Sequence, residues 1–189
     1  MQFRVPRRPF PEEDASRPDG GARLSAELAA VVACARRRAV RDGDRQIDTA
    51  HLLHTLLESD PEVRAVLGGA PRIARLLGYL VQRSIGYGLR WQSTVEDSGA
   101  LPKVTGTVGD LSPVASAALE HACERAARRG EDRARGVDLL AALVATPQAR
   151  AVEVLGRAGV DARELAGRLD NDSQGRLEGH AVGSGGDGC

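Results

Sequence analysis

Apolar residues recur along most of the chain at the three-and-four spacing that paints one face of a helix. Leu28, Val32, Ala35 and Ala39 form the first stripe, which predicts a helix from a Ser25 cap to about Val40, stopped at Gly43. Residues 47–59, "IDTAHLLHTLLES", predict a second helix with Leu52, Leu53, Leu56 and Leu57 inward, Asp48 or Thr49 as cap and Ile47 as a staple. Asp60-Pro61 starts a short third helix to Leu67, and "GGAP" turns the chain into a fourth. That helix is expected from Arg72 to about Ser84, with Ile73, Leu76, Leu77 and Leu80 inward. The periodicity then lapses over residues 86–110, which predict a connecting loop. It resumes at Ser112-Pro113 and runs to about Arg128, before Gly130. Val137 to Ala145, Thr146-Pro147 to near Gly156, and Asp161 to about Leu169 complete eight expected helices. Residues 1–22 and 170–189 are polar and rich in glycine or proline, and predict a disordered arm and tail.

The two runs of helices are copies. Setting Leu24-Ser25 over Leu111-Ser112 gives an offset of 111 − 24 = 87, and residues 24–57 and 111–144 then share 11 identities in 34 positions. Gly43 meets Gly130, Leu52-Leu53 meets Leu139-Leu140, and Leu56 meets Leu143. After one inserted residue, Leu67-Gly68 meets Leu155-Gly156. A helical unit given twice at this length predicts two stacked units sharing one core. His51 falls on Asp138 and His54 on Ala141, so the histidines read as additions to the repeated design.

Composition supports a helical core. The 189 residues are 42% hydrophobic but only 3% aromatic, so Leu, Val and Ala must fill the interior. Twenty-six basic and 26 acidic residues balance, so no net field points to nucleic acid or an anionic membrane. Cys34, Cys123 and Cys189 form no dense disulfide framework, which fits a reducing cytosol. The start of the chain has no apolar segment of the signal-peptide kind, and no run approaches a membrane span, so a soluble cytoplasmic protein is expected.

His51 and His54 share a helix face, yet zinc needs further ligands and the pair lacks the His-Glu-x-x-His pattern of metalloproteases; packing or solvent contact is the expectation for both rings. No P-loop, Gly-x-Ser-x-Gly elbow, Cys-x-x-Cys pair or EF-hand loop occurs, and no cofactor or metal is expected. A hydrolase needs a nucleophile beside a base, and the repeated hydroxyls Ser25 and Ser112 have no paired histidine. The arginine clusters at 36–38 and 128–129 lie late in the two first helices, where they complement the helix dipole. Trp91 stands alone in the loop, where it packs the loop down or anchors a partner.

The order of a serine-capped helix, a glycine stop, a "TAHLL" helix, a short helix and a Leu-Gly turn, given twice, resembles the Clp repeat. That repeat forms the N-terminal domain of the Clp/Hsp100 ATPases, and the chain is most like the actinobacterial ClpC type. "LSAEL" at 24–28 and "LSPVA" at 111–115 loosely match the family's Phe-Thr-x-Arg-Ala start. "DTAHLL" at 48–53 and "RGVDLL" at 135–140 match its Gly-Thr-Glu-His-Leu-Leu segment. The resemblance covers about residues 23–169 and implies an all-α domain of two pseudo-symmetric four-helix Clp repeats. Repeat one is then 23–85, the loop 86–110 and repeat two 111–169.

In the family this domain receives substrates and adaptors ahead of the unfolding motor, and in ClpC proteins it binds phosphoarginine and certain cyclic peptide antibiotics. The resemblance therefore implies a non-enzymatic protein-binding module of the Clp protease system: an adaptor, competitor or ligand decoy without the ATPase motor. Its partners would be a Clp-family ATPase, its adaptors or its substrates. The alternative reading is a DNA-associated regulator using the arginine clusters. In the family pocket, a threonine at the first helix cap meets the phosphate and the glutamate of the Thr-Glu-His segment meets the guanidinium. The matching positions are Ser25 and Ser112, which keep the hydroxyl, and Ala50 and Val137, which lose the carboxylate. Leu24 and Leu111 replace the aromatic that begins each family repeat.

Overall fold

The computed structural model describes residues 23–84, Glu96 and 111–182, with the backbone alone given for 172 and 174–182. Eight helices fill the described residues: α1 (Ala26–Asp42), α2 (Thr49–Ser59), α3 (Pro61–Leu67), α4 (Ala70–Ser84), α5 (Pro113–Arg128), α6 (Gly136–Val144), α7 (Arg150–Arg157) and α8 (Ala162–Val182). The expected arm, most of the loop with Trp91, and Cys189 lie outside the described residues.

Local chemistry explains most boundaries. The hydroxyls of Ser25 and Ser112 accept the N–H groups of Leu28 and Ala115, both at 3.1 Å, so each first helix starts at its serine. Gly43 (φ 77°) and Gly130 (φ 74°) stop those helices in the left-handed region, which costs a glycine little. Asp48 caps α2, and Asp60 caps α3 with Pro61 at its first position.

Three expectations need correction. On α1 the buried residue is Val31, with Val32 half-buried. Helix α7 begins at Arg150 and not at Thr146-Pro147: residues 146–149 stay in a turn, Ala149 brings no side-chain acceptor, and groups from outside the repeat meet the first amides, Glu96 the Arg150 N–H and Thr49 the Ala151 N–H. Helix α8 does not end near Leu169 but runs to Val182. Arg125 explains the first turn of that extension: its guanidinium holds Asp170 (2.6 Å), the Leu169 carbonyl (3.4 Å) and Ser173 (3.0 Å).

The two repeats interlock instead of merely stacking. Leu24 bridges to Ala134 and Ile47 to Leu111, each in parallel register, so the residue before each first helix pairs with the stretch before the other repeat's second helix. The third helices cross over likewise: α3 packs on α6 and α7 on α2. Helices α2 and α6 consequently sit at the centre. Every residue from Thr49 to Leu57 is buried, as is all of α6 except half-buried Val137. Leu52, Leu53, Leu56, Leu139, Leu140 and Leu143 are fully enclosed and form the shared core that the repeat predicts.

Candidate functional site

Of the four family-pocket positions, Ser25 and Ser112 cap α1 and α5 while Ala50 and Val137 lie in the first turns of α2 and α6, and the backbone decides which of them meet. The Ser112 N–H donates to the Ile47 carbonyl, and the Ser25 N–H to the Ala134 carbonyl, both at 2.9 Å. Each serine is thus held beside the second helix of the other repeat. Ser25 is half-buried, whereas Ser112 is 1% exposed. Ala50 lines a hollow of about 160 Å³ with Arg38, Asp42, Asp44, His51 and His54. Val137 lines a smaller one, about 30 Å³, with Glu62, Arg129, Arg135 and Asp138.

Beside Ala50 the acidic groups are already engaged. Asp48 caps His51 N–H at 2.9 Å, and its carboxylate lies 2.7 Å from His51 Nδ1 and 2.6 Å from Arg150 Nη1. The other ring nitrogen, Nε2, stands 3.1 Å from Asp44. Burial disfavours a charged ring, but hydrogen bonds and charge from Asp44 and Asp48 outweigh it and raise His51 to about 9. Burial likewise works against the Asp48 carboxylate, yet His51 and Arg150 bring it down to about 2. A carboxylate thus stands beside each ring nitrogen, and Nδ1 also meets the Asp48 N–H at 3.2 Å, the second half of a capping box. Asp42 accepts from the Ser84 hydroxyl at 2.9 Å.

The same position in repeat two carries the inverse charges. Asp138 occupies the place of His51 and lies 2.6 Å from Arg129, the counterpart of Asp42. Arg129 also reaches Glu131 at 3.0 Å. Burial opposes its charge, but these two carboxylates overcome that and hold the guanidinium protonated. Asp138 closes the box by accepting the Arg135 N–H at 2.9 Å. The histidine therefore fills a repeated role: His51 Nδ1 and Asp138 each accept the N–H of the residue at the helix cap, at 3.2 and 2.9 Å, while their charged partners differ, Asp44 and Asp48 in repeat one and Arg129 in repeat two.

His54 differs. It is 2% exposed, with Nε2 3.3 Å from Glu58 but off the line of a hydrogen bond. Burial, then the positive Arg38, lowers its pKa to about 4 despite Glu58 and Asp42. The two histidines titrate on opposite sides of neutrality. Among the described residues no group of three His, Cys, Asp or Glu side chains that could hold a metal ion comes together. The arginine clusters are partly structural, since Arg38 pairs with Glu58 while Arg129 is only 7% exposed.

A residue that sequence reasoning missed ties these parts together. Glu96, 2% exposed, accepts the N–H and the hydroxyl of Thr49, the Ser112 hydroxyl and the Arg150 N–H. It belongs to the stretch between the repeats, which has no periodicity and no second copy, so no pattern in the sequence marks it.

Neither a family model nor a curated protein matches the chain. Solved structures do. The N-terminal domain of the caseinolytic protease associated chaperone ClpD from Arabidopsis thaliana aligns with a TM-score of 0.57 at 19% identity, over 80% of this chain and 95% of that one. A chain from a study of the type VI secretion ATPase ClpV and its coevolution with the TssB-TssC sheath aligns at 0.55 and 19%, over 84% and 94%. The fold is that of a Clp N-terminal domain. A chain from a malarial protein secretion system aligns at 0.56 and 12%, over 80% and 95%. At these identities the likeness is one of fold, over 80–84% of this chain. No helix among the described residues is long and apolar enough to cross a membrane.

Proposed function

We propose that this chain is a protein-binding module of the Clp system, of the ClpC type in its repeat motifs, that performs no chemistry of its own. It acts as adaptor, competitor or decoy toward a Clp-family ATPase, its adaptors or its substrates in the cytoplasm. One observation carries the reading: the domain keeps the Clp N-terminal fold while the polar groups at its centre bond to one another. Affinity capture on the full chain from native cytosol tests it. Enrichment of a Clp ATPase or of that ATPase's substrates supports it, and recovery of neither defeats it. The DNA-associated alternative is not favoured, because charges balance at 26 and 26 and Arg38 and Arg129 pair internally.

Phosphoarginine is not its ligand in this proposal. A carboxylate holds a guanidinium through two parallel charge-assisted bonds, which Ala50 and Val137 cannot make. A hydrogen bond to a charged group contributes about 1.5–3 kcal/mol, so each loss weakens binding about ten- to a hundredfold. An NMR titration with phosphoarginine is expected to leave Ser25 and Ser112 unshifted. Saturable shifts there at micromolar ligand refute this part alone.

A further inference from the structure

The surroundings of Glu96 have a counterpart in the other half of the domain. Asp60 caps α3 through one oxygen, which accepts the N–H groups of Glu62 (2.9 Å) and Val63 (3.0 Å). Its other oxygen lies so close to Gly136 that a Cβ there would stand 1.9 Å away. After the inserted residue the offset is 88, so Gln148 takes the place of Asp60, and Arg150 and Ala151 take those of Glu62 and Val63. Helix α7 thus has no carboxylate of its own at this position.

Glu96 supplies one from outside the repeat. Its Oε1 accepts the Arg150 N–H at 2.7 Å and also the Thr49 hydroxyl, which in turn accepts the Ala151 N–H at 3.0 Å. Its Oε2 accepts the Thr49 N–H at 2.9 Å and the Ser112 hydroxyl at 3.1 Å. The donors come from the N-terminal ends of α2 and α7 and from the cap of α5. Thr49 and Ser112 are 0% and 1% exposed. Two helix starts and two buried hydroxyls converging on one pair of oxygens favour an anion by charge and by direction.

We propose that these groups form an oxyanion-binding cradle whose resident ligand is the chain's own Glu96 carboxylate, and that this contact keeps external phosphate or carboxylate groups out. The proposal deepens the reading above, since Ser112 is one of the two hydroxyls at the family-pocket positions. An intramolecular occupant acts at an effective concentration on the order of millimolar, so external oxyanions at micromolar concentration do not displace it. The ligand class is a compact oxyanion with no cation attached, because Ala50 and Val137 offer no carboxylate to a guanidinium.

The test uses the full chain, wild type and Glu96→Ala, titrated with inorganic phosphate and with acetate against sodium chloride of equal ionic strength. Amide NMR shifts of Thr49, Arg150 and Ala151 report occupancy, and melting temperature reports its effect on the fold. In Glu96→Ala, phosphate or acetate is expected to shift those amides saturably and raise the melting temperature, with an affinity about tenfold or more above wild type. A response to phosphate alone or acetate alone says which oxyanion the cradle prefers. Equal responses in the two proteins, or shifts confined to other residues, overturn the proposal and leave Glu96 as a cap only. If Glu96→Ala does not fold, Glu96→Ser, too short to fill the cradle, is judged by the same criteria. Affinity capture of Clp partners is independent of these titrations, so failure of either reading is seen separately.

Discussion

The two buried histidines of α2, three residues apart, predict a stability maximum near pH 6.5. His51 is raised from 6.5 to about 9, so between those values the folded chain holds a proton that the unfolded chain has lost. Its contribution is complete below pH 6.5 and disappears as pH rises through about 9. His54 is lowered from 6.5 to about 4, so between those values the unfolded chain takes a proton that the folded chain refuses. Its contribution is complete above pH 6.5 and disappears as pH falls through about 4. For His51 the distance from 6.5 corresponds to about 3 kcal/mol, and the His54 limb runs in the opposite direction. The two rings are 8% and 2% exposed, so solvent screens them little, although half-exposed Asp44 makes the alkaline limb salt-sensitive. Asp48, lowered from 3.8 to about 2, adds a further loss only below pH 4, as its ion pair with His51 breaks.

Denaturant unfolding at constant ionic strength from pH 4 to 9.5 reads both limbs. His51→Gln is expected to flatten the alkaline limb and leave the acid limb, and His54→Gln the reverse. Imidazole NMR titration assigns each ring directly. A wild-type profile level to within about 0.5 kcal/mol, the usual scale of surface effects, refutes the reasoning. So does a limb that survives removal of its histidine.

Leu53→Ala and Leu140→Ala each truncate a fully buried side chain on a central helix and are expected to cost about 2–5 kcal/mol by chemical denaturation; under about 1 kcal/mol at both sites contradicts the shared core. Gly136→Ala drives a methyl into Asp60, whose other oxygen is held by two amides, and is expected to cost about 1–3 kcal/mol. That cost falls in an Asp60→Ala background if the contact is its source, which a double-mutant cycle measures. Asp138→Ala leaves the buried Arg129 with Glu131 alone and is expected to cost about 3–5 kcal/mol, an upper range because Glu131 is partly exposed. A loss under 1 kcal/mol shows that the ion pair contributes nothing.

Much of the fold is legible in the sequence because helical periodicity and capping are local. Ser25, Asp60-Pro61 and Gly43 act within a turn of where they stand, and each marks its boundary correctly. Where an end depends on a distant group, the sequence misleads. Helix α8 continues past Leu169 because Arg125, 45 residues before Asp170, holds its next turn, and the glycines of that stretch gave no hint of it. The exchange of His51 for Asp138 looks like loss of a repeated feature when residues are compared one at a time. Both residues nonetheless accept the N–H of their helix cap and hold a charged partner, a shared role that shows only once the distances are known.

The candidate site was the least legible part, for a related reason. Its hydroxyls, Ser25 and Ser112, were found as caps, and its missing carboxylates, at Ala50 and Val137, as departures from a family motif. What fills the place of Asp60 in repeat two could not be found that way, because Gln148 announces only that a carboxylate is absent and the replacement stands 52 residues upstream of it. Duplication fixes the positions where charge is needed, and divergence then satisfies each need from whichever segment can reach. In repeat one that segment is the helix cap itself. In repeat two it is the connection between the copies, so the same carboxylate that completes α7 also occupies Ser112 and Thr49. A connection that completes α7 of repeat two thus also meets Ser112, the first cap of that repeat, and Thr49 at the start of the second helix of repeat one, so the proposed cradle and the join between the repeats rest on one side chain.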